Sequence, residues 1–286
     1  MSAPLTSILR RHLDGDLPAN VALMQMMVEA ADPLDVERAL VEYRAQHPAK
    51  VDALSGLLAA TPGAWSTVRT VMAEADHAAT AGPANWAVIF NRLARTSPEA
   101  GVALYTLGSP ALLAAATDEV VRLVEAIGPV GPDRALLEIG CGYGRLSLAL
   151  APKMGRLLGL DVSAAMIDEA RRRAAGLPQA EFRVTSGEDL GFVLKEAFDV
   201  VLACDVFPYL IGAGRGLGRR HVAEAARVLR PGGALLILNY SYRGDDNGDR
   251  RDAAEAFAQA GLEAERLGTR DLTLWDGRTF LARKAS

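Results

Sequence analysis

The chain has 286 residues, half of them hydrophobic, and a formal net charge of −4. That length buries a sizeable core and reads as one large domain or two. The charges are scattered, and the run Arg171-Arg172-Arg173 reads as a solvated helix face, so neither a nucleic-acid nor an anionic-membrane surface is indicated.

From the N-terminus, NVALMQMMVEA, DPLDVERALVEYRAQH and PAKVDALSGLLAA each carry apolar residues at helical spacing. Asp32 suits an N-cap and Pro33 a first helical turn. Pro48, Pro62-Gly63, Gly82-Pro83 and Ser97-Pro98 punctuate the run into short helices. Residues 1–82 are thus expected to be a helical region. Its stripe Leu23, Met24, Met26 and Met27 reads as core, or as the contact of a homodimer through these helices. Residues 83–130 are expected to be a helical lid that excludes water, with Trp86, Phe90 and Tyr105 as pocket or packing aromatics.

Residues 131–286 change pattern. Strands are predicted at 135–139, 156–160, 181–185, 198–203, 234–239, 263–273 and 278–283, with helices between the first five and another around 250–260. Alternating strands and helices give an α/β, doubly wound and mostly parallel sheet. The stretch LEAERLGTRDLTL, the turn Trp275-Asp276-Gly277-Arg278 and TFLARK are predicted as an antiparallel C-terminal hairpin.

Function reads most clearly from LLEIGCGYGRLSLALAP at 136–152. An apolar strand ends near Glu138, glycines follow at 140, 142 and 144, and an amphipathic helix begins. A turn without side chains lets an extended cofactor lie against backbone, beside free helix N–H groups. Asp161 closes the next strand about 20 residues on, where a carboxylate can accept both hydroxyls of a ribose. That alone suits NAD equally well. The glycine spacing, however, differs from G-x-G-x-x-G. TSGEDL places Ser186, Glu188 and Asp189 where an adenine edge could be read, and Pro231-Gly232-Gly233 directly precedes the fifth strand.

In this order, the glycine turn with Glu138, Asp161 followed by SAAMIDEARRRA, FDVV at 198–201 and RVLRPGG resemble the class I S-adenosylmethionine-dependent methyltransferases, over roughly the C-terminal half of the chain. The resemblance implies a Rossmann-like fold and S-adenosylmethionine as cofactor. It implies that Gly140 and Gly142 lie against the methionine part of the cofactor and that Gly144 completes the turn. Glu138 supports the amino group or the turn, Asp161 binds the ribose, and Met166 packs on adenine. The family's adenine-reading carboxylate falls here at Ser186, with Glu188 and Asp189 just after it; Glu188 is the first choice.

The acceptor side is expected in two loops beyond the carboxyl ends of the strands. CDVFPYLIGAG offers Asp205 as a base or cofactor contact, and Tyr209. NYSYRGDDNGDR offers Asn239, Tyr240, Tyr242 and Arg243, the last to pair with an acceptor carboxylate or with Asp245 or Asp246. His221 is expected to be exposed and not catalytic. His12, His47 and His77 have no ligand spacing, and no metal site is expected. Two cysteines, Cys141 and Cys204, exclude a disulfide framework or zinc cluster and read as small buried fillers. The N-terminus lacks the apolar core of a signal peptide, and no apolar run is long enough to span a membrane. A cytoplasmic protein is expected. The expected activity is methylation of an oxygen or nitrogen on a small-molecule metabolite. An NAD-linked oxidoreductase would need a Tyr-x-x-x-Lys or a His/Asp pair. A non-catalytic partner-binding protein would have no use for an intact glycine turn and Asp161.

Overall fold

Apolar periodicity does form helices where it occurs. In the computed structural model, which describes residues 3–75 and 82–286, these are α1 (Ala3–Leu13), α2 (Ala19–Glu29), α3 (Pro33–Arg44), α4 (Pro48–Ala60), α5 (Ala64–Ala75), α6 (Pro83–Thr96), α7 (Pro98–Val102) and α8 (Pro110–Ile127). His77 lies outside the described residues. Asp32 caps α3, its carboxylate accepting from Leu34 N–H at 2.8 Å, and Pro33 occupies the first turn.

The chain divides into two units. Among the described residues, the helical unit takes 3–75, then 96–119, then 272–276. Leu23, Met26 and Met27 are fully buried inside it as core, and Met24 is half-buried. Asn20, also buried, donates to the carbonyls of Tyr105 (2.9 Å) and Leu274 (2.8 Å), and the rings of Tyr105 and Trp275 stack at 5.4 Å.

Among the described residues, the sheet unit takes 82–95, 120–271 and 277–286. Its strands are β1 (Ala135–Ile139), β2 (Arg156–Asp161), β3 (Ala180–Val184), β4 (Phe198–Cys204), β5 (Leu229–Leu238), β6 (Leu262–Thr269) and β7 (Thr279–Lys284). They lie in the order β3-β2-β1-β4-β5-β7-β6, and only β7 runs against its neighbours. The intervening helices are α9 (Arg145–Leu150), α10 (Ala164–Arg173), α11 (Phe207–Gly212), α12 (Arg215–Val228) and α13 (Asp246–Gln259). β1, β4 and most of β5 are buried at nearly every position, as strands covered on both faces must be. One core gathers Trp86 of α6 with Leu137, Val201, Phe207, Val222, Leu235 and Phe257.

Three expectations need correction. The boundaries at 82/83 and 130/131 do not divide the structure: α6 clusters with the sheet, while 96–119 clusters with the helical unit. The C-terminal strands are antiparallel, but no tight hairpin joins them. β6 stops at Thr269, and residues 272–276 are drawn into the helical unit, where Glu119 accepts from Thr273 N–H (2.6 Å), Thr273 Oγ1 (2.5 Å) and Leu274 N–H (3.1 Å). β5 starts earlier than 234. Phe198 pairs with Leu229 and Val200 with Ala234, so Arg230-Pro231-Gly232-Gly233 forms an irregularity inside the ladder. Below it Asp199, nearly buried, accepts from Arg134 (3.0 Å), Arg230 (2.6 Å) and Ala135 N–H (2.8 Å), which ties β1, β4 and β5 at the end remote from the glycine turn.

Among the described residues, no helix is long and apolar enough to cross a membrane.

Candidate active site

The turn after β1 works as its sequence demands. Gly140, Gly142 and Gly144 all have positive φ (71°, 53° and 85°), which L side chains rarely adopt. Gly140 and Cys141 donate to the Leu160 carbonyl at 2.8 and 2.9 Å, which folds the turn onto the end of β2. A Cβ at Gly140 would sit 2.7 Å from Val206, and one at Gly144 would sit 3.1 Å from Phe182. Packing and conformation therefore both require glycine at these two positions.

Asp161, at the end of β2, is the hub. Its Oδ2 accepts from Gly142 N–H and its Oδ1 from Ser163 N–H, each at 2.8 Å. Burial raises its pKa, and the N–H groups of Ser163, Gly142 and Val162 oppose that rise. Ser163 then caps α10 by accepting from Met166 N–H at 3.1 Å. Glu138 is nearly buried, with Ser147 Oγ donating to its Oε2 at 2.5 Å. Burial pushes its carboxyl up to about 7 against the pull of Ser147 and Arg145.

The adenine-side expectations fare differently. Met166 is fully buried beneath α10 and has no face left for a ring. Ser186, Glu188 and Asp189 are exposed. Ser186 Oγ accepts from Glu188 N–H (3.2 Å), Asp189 from Gly191 N–H (2.9 Å), and Glu188 faces Arg220 at 3.7 Å. Gly187 and Leu190 are the buried members of this loop; Gly187 has φ 75°, and a Cβ there would lie 2.7 Å from Val162 and 3.0 Å from Pro83 of α6. Ser186 and Asp189 thus serve the loop's own turns and Glu188 faces α12, while close contact with the Asp161 loop runs through Gly187 and Val162.

Beyond β4 and β5, two non-glycine residues hold left-handed backbone: Asp205 (φ 56°) and Asn239 (φ 67°). Asn239 Nδ2 donates to Asp205 Oδ1 at 2.8 Å. Tyr209 of α11 is edge-on to Trp86 (6.0 Å), Phe90 (5.5 Å) and Tyr242 (6.0 Å). Burial raises the Tyr209 phenol, and Asp205 raises it further. Tyr240 belongs to the core instead, near Phe207 (5.7 Å) and Phe280 (5.2 Å).

Arg243 is not placed for an acceptor. Its guanidinium is held by Asp249 and by Asp252 (2.8 Å), with Ser241 at 3.2 Å, rather than by Asp245 or Asp246. His221 is buried, not exposed, because it falls in the stripe Gly218, His221, Val222, Ala225 that α12 turns inward. Its Nδ1 lies 3.0 Å from the Leu217 carbonyl, and burial lowers its pKa. Burial raises the thiol of Cys141 and pushes that of Cys204 up to about 12, as inert fillers should show. Among the described residues no three His, Cys, Asp or Glu side chains are gathered as a metal site. Sequence reasoning missed Ser147 and Asn91: Ser147 stands in the glycine-turn stretch itself but was not paired with Glu138, and Asn91 acts only through contacts distant in sequence.

This donor set fits S-adenosylmethionine. Each oxygen of Asp161 accepts one N–H and keeps a further lone pair for a ribose diol. The side-chain-free turn lies beside it, and Glu138 supplies a carboxyl at its foot.

Residues 137–237 match the model of a family described as a methyltransferase domain. The demethylmenaquinone methyltransferase of Clavibacter sepedonicus is 32% identical over 132 residues, covering 46% of this chain and 51% of the relative. The ubiquinone biosynthesis O-methyltransferase of Bradyrhizobium sp. (strain ORS 278) is 34% identical over 111 residues, covering 38% of this chain and 41% of the relative. The chain thus spans about half the length, or less, of these curated relatives. Magnesium protoporphyrin IX methyltransferase from Synechocystis PCC 6803, solved with bound S-adenosylmethionine, shares the fold with a TM-score of 0.53 at 20% identity, covering 71% of this chain and 97% of that one. Sequence match, strand order and turn geometry agree: the sheet unit has the class I methyltransferase fold, and residues 137–237 within it match a methyltransferase domain.

Proposed function

We propose that the chain transfers a methyl group from S-adenosylmethionine to an oxygen or nitrogen of a small-molecule metabolite. One observation carries this reading: the hydrogen bond from Gly142 N–H to Asp161, which joins the glycine turn and the ribose carboxylate into one rigid cradle. The names of the two curated relatives support a metabolite acceptor, and the scattered charge gives no support to a nucleic-acid one. The free cysteines and the lack of a spanning helix among the described residues support a cytoplasmic location.

The bound cofactor supplies an electrophilic methyl on a sulfonium, so the protein's tasks are alignment and exclusion of water. Asp161 accepts the ribose hydroxyls, and Glu138 with the glycine turn holds the methionine end. Asp205, fixed by Asn239, faces the acceptor side and takes its proton where the acceptor is a hydroxyl. Tyr209, Trp86 and Phe90 form the apolar wall there, with α6 serving as the covering helix.

Calorimetry with S-adenosylhomocysteine tests the reading. Wild type should bind, and Asp161→Ala should lose about 1–3 kcal/mol of affinity through the missing charge-assisted bonds. Failure of the folded wild type to bind would defeat the proposal. Transfer of labelled methyl to a panel of phenols, amines and carboxylic acids would then identify the acceptor atom.

A further inference from the structure

The carbonyl of Asn91, deep in α6, accepts two hydrogen bonds from the far side of the site: Ser163 Oγ and Ala165 N–H, both at 2.9 Å. Ala165 N–H can only donate, which fixes Oδ1, and not Nδ2, toward the loop. Ala165 lies in the first turn of α10, where N–H groups lack helical partners. Ser163 Oγ satisfies one of them, at Met166, and Asn91 satisfies another. The helix behind Asp161 is therefore capped twice, once by its own serine and once by a residue 74 positions away in sequence.

The same helix carries the aromatic wall. Pro83, Trp86, Phe90 and Asn91 fall at i, i+3, i+7 and i+8, one stripe of α6. Pro83 reaches the Gly187–Val162 contact, Trp86 and Phe90 meet Tyr209, and Asn91 meets the loop whose Ser163 N–H is held by Asp161. Bonds run without interruption from Gly142 through Asp161 and Ser163 to Asn91.

We infer that Asn91 is a positioning residue that couples the cofactor cradle to the acceptor wall, so that cofactor binding at Asp161 tightens α6 and the contacts that Trp86 and Phe90 already make with Tyr209. The inference rests on the proposed role of Asp161.

Hydrogen exchange of the full chain, with and without S-adenosylhomocysteine, tests it alongside calorimetry. In wild type the ligand should slow exchange in both 162–167 and 84–95. In Asn91→Ala it should still slow 162–167 but leave 84–95 unchanged, with affinity reduced on the order of tenfold. Asn91→Asp keeps an acceptor oxygen, favoured at a helix N-terminus, and should restore the protection of 84–95. Wild type without ligand-induced protection of 84–95, an Asn91→Ala variant that retains it, or an Asn91→Asp variant that matches Asn91→Ala would each overturn the coupling. No binding of the ligand to wild type would instead defeat the reading of Asp161 itself.

Discussion

Asn239 donates to Asp205 across the gap between β4 and β5, and both residues hold the left-handed backbone that side chains usually avoid. Left-handed Asn and Asp are the least strained of non-glycine residues, yet two in contact at strand ends mark a position where backbone direction was fixed for its side chains. Asp205 N–H donates to the Leu238 carbonyl and Asn239 N–H to that of Arg278, both at 2.8 Å, so neither backbone is free to relax. Asp205→Ala should lower kcat for a hydroxyl acceptor by about a hundredfold or more while leaving S-adenosylhomocysteine affinity within about twofold. An acceptor whose methylation is unaffected needs no base from this residue. Asn239→Ala should cost about 1–2 kcal/mol of stability, from the lost bond and a strained φ, and Asn239→Gly should cost less. Denaturant titration measures both.

Gly140→Ala should be among the most damaging single-methyl changes in the chain. The added carbon meets Val206 at 2.7 Å on backbone with φ 71°. A loss of about 1–3 kcal/mol is expected, together with weakened cofactor binding. Adding Val206→Ala should recover part of the stability by removing the clash, though not the conformational strain. Equal stability of the single and double variants would place the cost in φ alone.

Glu138 makes stability depend on pH. Its folded carboxyl is raised to about 7 by burial, above the unfolded value near 4.5. The group's contribution is therefore fully present below pH 4.5 and is lost as pH rises toward and through 7. Glu138→Gln removes this dependence, so thermal unfolding of the ligand-free variant should change less between pH 5 and pH 8 than that of wild type. Binding should show the opposite slope. A cationic amino group favours the ionised carboxylate, so S-adenosylhomocysteine affinity should rise with pH through 7 in wild type and stay flatter in the variant.

Arg243 serves stability. Ser241 Oγ donates to both oxygens of Asp249, and Arg243 bridges Asp249 and Asp252 at the start of α13. Arg243→Ala leaves two poorly exposed carboxylates facing each other and should cost about 1–3 kcal/mol. Acceptor KM should not change; a raised KM confined to acidic acceptors would return Arg243 to the site.

What the sequence disclosed was what neighbouring residues decide together. The turn at 140–144, Asp161 and the strands around them were legible because glycine conformation, strand burial and the Ser163 cap all act within a few residues. Glu138, Asp205 and Asn239 could be named, but not the pairings: the turn returns Ser147 to Glu138, and only the folded sheet brings Asn239 to Asp205. Met166 was misplaced because its spacing fits a ring contact and a core contact equally, and packing chose the core. His221 could have been placed correctly, since Gly218, Val222 and Ala225 already trace the inward stripe of α12; its polarity outweighed its position. The C-terminal strands pair antiparallel as expected, but the tight turn failed for a tertiary reason: Glu119 and Asn20 hold residues 272–276 elsewhere. Asn91 had no local signal at all.

The last strand in sequence is not the last strand in space. β7 fills the place between β5 and β6, and the chain reaches it only after residues 272–276 have joined the helical unit. The facing edges of β5 and β6 therefore stand open until residues 279–284 arrive, and the helical unit waits for residues 272–276, which follow β1 to β6 in sequence. The helical unit thus cannot finish folding from a nascent chain before six of the sheet unit's strands have been synthesised, nor the sheet unit before all of the helical unit, so the two should mature together.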